Sequence, residues 1–264
     1  MRIESLFPEL CNLYGDSQNI RYLSLCLPEA ELVLSNLNRT PAFVTNEVDL
    51  LYMGPMTESA QLKVIERLLP YRERIAELID NGTVLLFTGN AFEVLTEHIF
   101  DKEKETDTEG LGLLPFQTEI RLFERFNGKV LGTFDRGGEG GESGAKGIER
   151  GNGNNAEVIE VVGFKNQFSS VYGDNSSYPF LTCQRGAGLN AKSTFEGVRV
   201  NNFFGTSLLG PLLILNPLFT RYLLKLLGTP NPTLAFEADA ITAYQARLQE
   251  FKTPQTTGFT TKGH

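Results

Sequence analysis

Histidine is nearly missing from this chain: His98 and His264 are the only two in 264 residues. That scarcity bears on any mechanism in which an imidazole serves as general base for a thiol or hydroxyl. His264 is the last residue of a polar tail and reads as a surface terminus. Cysteine is also sparse. Cys11, Cys26 and Cys183 are too scattered for a disulfide framework and, with two distant histidines, show no zinc-ligand spacing, so buried free thiols are the simpler reading. No apolar run approaches the roughly 20 residues that span a bilayer, and the opening Met1-Arg2-Ile3-Glu4 lacks the apolar stretch of a signal peptide. Excess positive charge is missing too. A net charge of −8 with 41% hydrophobic residues describes an acidic, soluble chain able to bury one large core or two small ones. Neither a nucleic acid nor a membrane is an expected partner, and the cytoplasm is the expected location.

The chain does contain an alternation of strand-like and helix-like segments. Residues 20–27 continue helically from the Asn12-Leu13-Tyr14-Gly15-Asp16 loop, 31–34 form a short strand, and 48–53 a buried one. One long amphipathic helix over 58–80, ending near Asn81-Gly82, leads to a strand at 83–87. That order implies a parallel sheet. From Gly110 the character changes to short β-like runs at 116–123, 129–134, 158–164 and 197–204, which should wrap antiparallel strands onto the sheet. Residues 136–155 are too polar and glycine-rich to bury a face and read as a mobile loop.

No cofactor motif emerges. A phosphate-binding loop needs Gly-Lys-Ser/Thr, but Ala145 separates Gly144 from Lys146. Gly186-Ala187-Gly188-Leu189-Asn190-Ala191 fits a dinucleotide pattern loosely, yet strand-like sequence follows where a helix is required, so it reads as a plain turn. After Asn216-Pro217 an apolar helix over 218–227 stops at Gly228, and Thr229-Pro230-Asn231-Pro232 links it to a second amphipathic helix over 236–252. The expected division is a main domain over 1–228 with the loop inserted, a linker and C-terminal helix over 229–252, and a disordered tail over 253–264. The last helix docks on its own domain or on a partner, the former being commoner.

Chemistry is expected at Leu85-Leu86-Phe87-Thr88-Gly89-Asn90-Ala91-Phe92-Glu93-Val94-Leu95, an apolar strand running through a small-residue turn into a helix. Such an elbow suits acyl transfer because the turn projects one side chain while helix N-terminal amides stabilise a thiolate or an oxyanion. No cysteine, serine or aspartate stands in the turn. Counting back from Phe92-Glu93 puts Gly89 at the nucleophile position; counting forward from Gly82-Thr83-Val84 puts Thr88 there. His98 lies nine residues beyond Gly89, about 13 Å along a helix at ~1.5 Å per residue, and should not reach the turn. Glu93 reads as a helix-start carboxylate steadied by the helix dipole, and Asn90 as a cap or left-handed turn residue.

This elbow resembles that of class I glutamine amidotransferases, where a strand ends in Cys-Gly-Gly-(Phe/Tyr)-Gln-Leu-Leu-Gly; Phe92, Glu93, Val94 and Leu95 match its second half. The opening Leu6-Phe7-Pro8-Glu9-Leu10-Cys11-Asn12-Leu13-Tyr14-Gly15-Asp16-Ser17-Gln18-Asn19-Ile20 is similar to that of the cobyric-acid-synthase-like group, particularly the glutaminase subunits of lipid II isoglutaminyl synthases. Val162-Gly163-Phe164-Lys165-Asn166-Gln167 resembles the group's Gly-Phe-Glu-Asn-His segment. Phe204-Gly205-Thr206-Ser207-Leu208-Leu209-Gly210-Pro211-Leu212-Leu213 resembles its Gly-(Ser/Thr)-Tyr-(Phe/Leu)-His-Gly-Pro-Leu-Leu segment. The likeness covers residues 1–228.

The resemblance implies a three-layer α/β, flavodoxin-like fold with a parallel central sheet, a β-rich edge and a C-terminal helical extension. It also implies glutamine hydrolysis without a cofactor and a Mur-ligase-like or other synthetase as partner, in cell-wall or cofactor amidation. Residue by residue, the implied site is altered. Gly89 stands in the cysteine's place, Leu209 in the catalytic histidine's, Gln167 in that of a further histidine and Glu93 in that of a glutamine. Gly54, within Met53-Gly54-Pro55-Met56, falls where a Gly-Gly-Gly-Gln-Asp loop would offer oxyanion amides, and Pro55 has no N–H to give. Two readings stay open: a non-catalytic homologue acting as subunit or regulator, and an enzyme or small-molecule binder using a non-standard site. In the latter Thr88 would be a nucleophile, with Glu93 the titratable group nearest in sequence. The turn's crevice should persist in either case, with Leu209 filling the histidine's place and Glu93, Asn166 and Gln167 nearby.

Overall fold

Short, wholly apolar runs make the centre of the fold, because a strand covered on both faces by helices must be apolar on both. The computed structural model describes residues 1–137 and 158–253, so most of the glycine-rich segment over 136–155 and the tail after Thr253 lie outside the described residues. In chain order the first half carries β1 (Arg2–Leu6), α1 (Gln18–Cys26), β2 (Glu31–Ser35), α2 (Ala42–Thr45), β3 (Leu50–Met53), α3 (Glu58–Leu68), α4 (Arg72–Asp80) and β4 (Val84–Thr88). The β-rich half carries β5 (His98–Asp101), β6 (Thr106–Glu109), β7 (Gln117–Ile120), β8 (Phe126–Asp135), β9 (Val158–Gln167), β10 (Ser169–Tyr172), β11 (Leu181–Arg185), β12 (Phe195–Glu196), β13 (Val198–Val200) and β14 (Phe203–Thr206). Helices α5 (Leu212–Leu215), α6 (Pro217–Leu226) and α7 (Glu237–Lys252) follow.

The central sheet has six strands in the order β13-β14-β4-β3-β1-β2, parallel except at β13. Alternation along the inner strands divides two cores. Leu51, Met53, Leu85 and Phe87 pack with α3 and α4, while Leu50, Tyr52, Val84 and Leu86 pack with α1, α5 and α6. The architecture is therefore the expected three-layer α/β arrangement. All residues of β3 and β4 are buried; at about 1.5–3 kcal/mol for each large apolar side chain, this burial fixes the strand ends that carry the elbow. Two smaller sheets flank the centre, ordered β10-β7-β5-β6 and β12-β11-β8-β9.

Three expectations need correction. The single helix over 58–80 is two, because Pro70 cannot donate to the helical ladder and a 3₁₀ turn, Leu69–Tyr71, separates α3 from α4. The run at 197–204 does not join as one antiparallel strand: β13 and β14 make a hairpin whose second strand pairs parallel with β4, from Phe203↔Leu85 to Thr206↔Thr88. Beyond the elbow there is no α-helix but a 3₁₀ segment, Gly89–Leu95, followed directly by β5. His98 is thus a strand residue, paired through Nδ1 with Asp107 at 3.0 Å and stacked on Phe100.

At the C-terminus α7 lies on β8 and β9. Tyr244 and Phe251 pack on Leu131 and Val162, the Tyr244 hydroxyl donates to the Glu160 carbonyl at 2.7 Å, and Lys252 pairs with Glu160 at 2.7 Å. No helix among the described residues is long and apolar enough to cross a membrane.

Candidate functional site

The elbow sits where β4 ends, and backbone torsion differs between the two positions left open by the sequence. Gly89 has φ +60, the left-handed turn a projecting residue needs, whereas Thr88 is still extended at φ −112 and ψ 156. Glycine takes this conformation without strain. A Cβ built on Gly89 would overlap the Pro55 ring and stand 3.1 Å from Leu209 Cδ2. Both neighbours are held by their backbones: the Pro55 carbonyl accepts from the Leu13 amide at 3.0 Å, and the Leu209 amide donates to the Phe164 carbonyl at 2.8 Å. Gly89 is buried and Leu209 only 4% exposed. The expected crevice is therefore closed at its centre, because a proline ring and a leucine fill the volume a nucleophile's side chain would need. Gly54 lies beneath the Cys11 carbonyl, whose oxygen would be 2.5 Å from a Cβ there.

Thr88 points into a buried polar cluster. Its hydroxyl donates to Asp16, whose Oδ2 also accepts from the Tyr52 hydroxyl at 2.5 Å. Asn19 ties Tyr52, at 3.3 Å, to the Leu213 amide, which donates to Asn19 Oδ1 at 2.9 Å. Burial raises the Asp16 carboxyl above its usual range, and the Thr88, Tyr52 and Asn19 side chains and the Gly210 amide pull it back. The partner of Thr88 is thus Asp16, 72 residues away, rather than Glu93. The Asn-Leu-Tyr-Gly-Asp string has a structural use here. Left-handed Tyr14 and Gly15 turn the chain so that Asp16 enters beneath the strand ends, and Asn12 Oδ1 accepts from the Ser17 amide at 2.9 Å.

Glu93 and Asn90 also differ from expectation. Glu93 is 1% exposed and makes no helix-start contacts: Oε1 accepts from the Ser169 hydroxyl at 2.5 Å and Oε2 from Gln61 Nε2 at 3.4 Å. Asn90 does not cap; its side chain takes the Met56 amide at 2.9 Å and gives to the Met56 carbonyl at 2.9 Å, locking the Pro55 segment onto the elbow. Gln167 reaches this group only through Ser169, donating to its carbonyl at 2.9 Å, while Asn166 is taken up by Arg125.

Burial pushes the Glu93 carboxyl from 4.5 up to about 7, against the pull of the Ser169 and Gln61 hydrogen bonds. Between those values the folded chain keeps a proton that the unfolded chain releases. The stability contributed is complete below 4.5 and is lost as pH rises through about 7. Glu93→Gln should therefore be neutral near pH 4 and stabilise the fold by about 3 kcal/mol at pH 8. Urea unfolding of both proteins at the two pH values checks this, and equal stability at pH 8 would contradict it.

Sequence reasoning missed a second buried charge centre. Lys165, at the glutamate position of the resembled segment, is fully buried, donates to the Gly188 carbonyl at 2.7 Å and pairs with Glu196 at 3.4 Å. Glu196 also accepts from the Thr206 hydroxyl and the Ser207 amide, both at 2.8 Å. The pair pins β9 and β12 to the end of β14 at Thr206 and Ser207, two to three residues before Leu209. Cys11 offers no displaced nucleophile: it is buried against Met56, and desolvation with the nearby Glu9 charge pushes its thiol up to about 12. Among the described residues no group of histidine, cysteine and carboxylate side chains could hold a metal ion.

A family model and two curated relatives point to one family. Residues 2–214 match the CobB/CobQ-like glutamine amidotransferase domain. The chain is 26% identical over 216 residues to the GatD subunit of a glutamine-hydrolyzing lipid II isoglutaminyl synthase from Staphylococcus aureus strain N315, covering 81% of this chain and 79% of that one. The corresponding GatD subunit of Streptococcus pneumoniae strain R6 is 24% identical over 219 residues, covering 82% and 76%. Among solved structures, a glutamine amidotransferase from Thermotoga maritima is similar with a TM-score of 0.47 and 10% identity, over 96% of this chain and 92% of that one.

Proposed function

The chain belongs to the CobB/CobQ-like glutamine amidotransferase domain family, and from that premise we propose that it is a catalytically silent member. In this proposal it is a cytoplasmic subunit or regulator of a Mur-ligase-like synthetase in cell-wall or cofactor amidation. One observation carries the proposal: the elbow position that needs a thiol is Gly89, and the space beside it is closed by Pro55 and Leu209. Amide hydrolysis through a covalent intermediate needs a nucleophile, a base to take its proton and donors for the oxyanion. Here the first has no side chain, the second is a hydrocarbon, and Pro55 has no N–H to serve as the third.

The subunit role is supported by the relatives, whose names describe subunits of a synthase. A scaffold role needs a kept fold rather than a kept dyad, and the buried and half-buried polar ties around the elbow, Asn90 to Met56 and Glu93 to Ser169 and Gln61, hold this segment without chemistry. Co-expression with the Mur-ligase-like synthetase encoded nearest to it tests the role. The two should co-purify in equal amounts, and the complex should amidate with free ammonia and not with glutamine. Failure to co-purify would contradict the subunit role, and glutamine-dependent amidation would contradict the silence of the site.

A further inference from the structure

The central sheet ends in an edge that natural sheets seldom leave open. Among the described residues β2 pairs with β1 on one side only, and its sequence Glu31-Leu32-Val33-Leu34-Ser35 carries no proline, lysine or bulge to block a further strand. Its only charged side chain, Glu31, is drawn back onto Arg2 of β1 at 2.9 Å. Leu32 and Leu34 are 40% and 59% exposed. Through their register with Ile3 and Ser5 they lie on the face covered by α1, where Leu25 near the end of α1 is 51% exposed. Among the described residues, unpaired backbone groups and an apolar strip therefore coincide at one edge.

The order of residues says which occupant fits. An isologous two-fold contact places a strand antiparallel to its own copy, so the sequence must match itself when reversed. About Val33 it does: Leu32 faces Leu34 of the second copy, Val33 faces Val33, and Glu31 faces Ser35, so no like charges meet. We propose that a second copy of this chain adds to the edge at β2, joining the two central sheets into one continuous sheet about a two-fold axis at Val33.

Light scattering over the micromolar range should show the mass of the full chain rising from 29.3 kDa toward twice that value. Leu32→Glu with Leu34→Glu, both at exposed positions, puts like charges opposite each other and should weaken association by about tenfold or more. Mixing that variant with Leu32→Lys/Leu34→Lys should restore the dimer mass, because each glutamate then faces a lysine. The register has its own readout. Val33→Cys should cross-link to its own copy on oxidation, since opposed residues have Cα atoms about 4.5–5.5 Å apart, within disulfide range, while Leu32→Cys should not exceed the background of the native thiols. A wild-type chain that stays monomeric, a charge-swapped mixture that stays monomeric, or stronger cross-linking at Leu32 than at Val33 would overturn the proposal. So would a wild-type monomer whose binding to a synthetase is lost in the glutamate variant, which would assign the edge to that partner.

Discussion

Lys165→Met should cost the fold about 3–5 kcal/mol, because it strands Glu196 as an uncompensated buried charge. Both side chains are fully buried, and the lysine also serves the Gly188 carbonyl. Glu196 keeps its bonds from Thr206 and Ser207, which places the loss toward the lower end of that range. Adding Glu196→Gln removes the stranded charge while leaving an acceptor for one of these donors, so the double variant should be more stable than Lys165→Met alone. Urea unfolding of the wild type, both single variants and the double variant gives the coupling directly. A loss below about 1 kcal/mol for Lys165→Met would mean that the pair is not closed off from water as described.

Gly89→Cys should weaken the fold without creating an enzyme. A non-glycine residue at φ +60 costs about 1–2 kcal/mol, and forcing a side chain into the Pro55 ring adds about 1–3 kcal/mol. With Leu209→His an imidazole also enters a site that is 4% exposed. The double variant should release no ammonia from glutamine, since Pro55 still offers no N–H. Pro55→Gly on the same background should recover part of the stability by removing the overlap. Gly89→Cys as stable as wild type would show that the elbow has room, and robust glutaminase activity in the double variant would show that the rest of the site is intact.

The parallel core was readable because buried strands are written as unbroken apolar runs, Leu50 to Met53 and Val84 to Phe87, which no other element explains as well. Helical periodicity ran on through Pro70, so the break between α3 and α4 was hidden although the proline stood in plain view. The segment after Gly89 looked helical because Phe92, Val94 and Leu95 are apolar. They are in fact buried on every side, so no period distinguishes a 3₁₀ turn from an α-helix. That glycine and leucine stand at positions 89 and 209 could be read from the sequence, but the closing of the space could not, since it depends on Pro55 reaching Gly89 from the end of the neighbouring strand β3. The same holds for Thr88 with Asp16 and Glu93 with Ser169, pairs 72 and 76 residues apart that only the folded sheet brings together. Asp16 did carry a signal, its place in the Asn-Leu-Tyr-Gly-Asp string; Lys165 and Glu196 carried none that marks a buried pair.

The central claim, that this elbow does no chemistry, is tested most directly by ammonia release from glutamine, measured with the purified chain alone and mixed with its candidate synthetase. The rate should equal that of the protein-free blank in both cases. Turnover above the blank that disappears on Thr88→Ala would contradict the claim and identify the threonine hydroxyl, held by Asp16, as a working nucleophile.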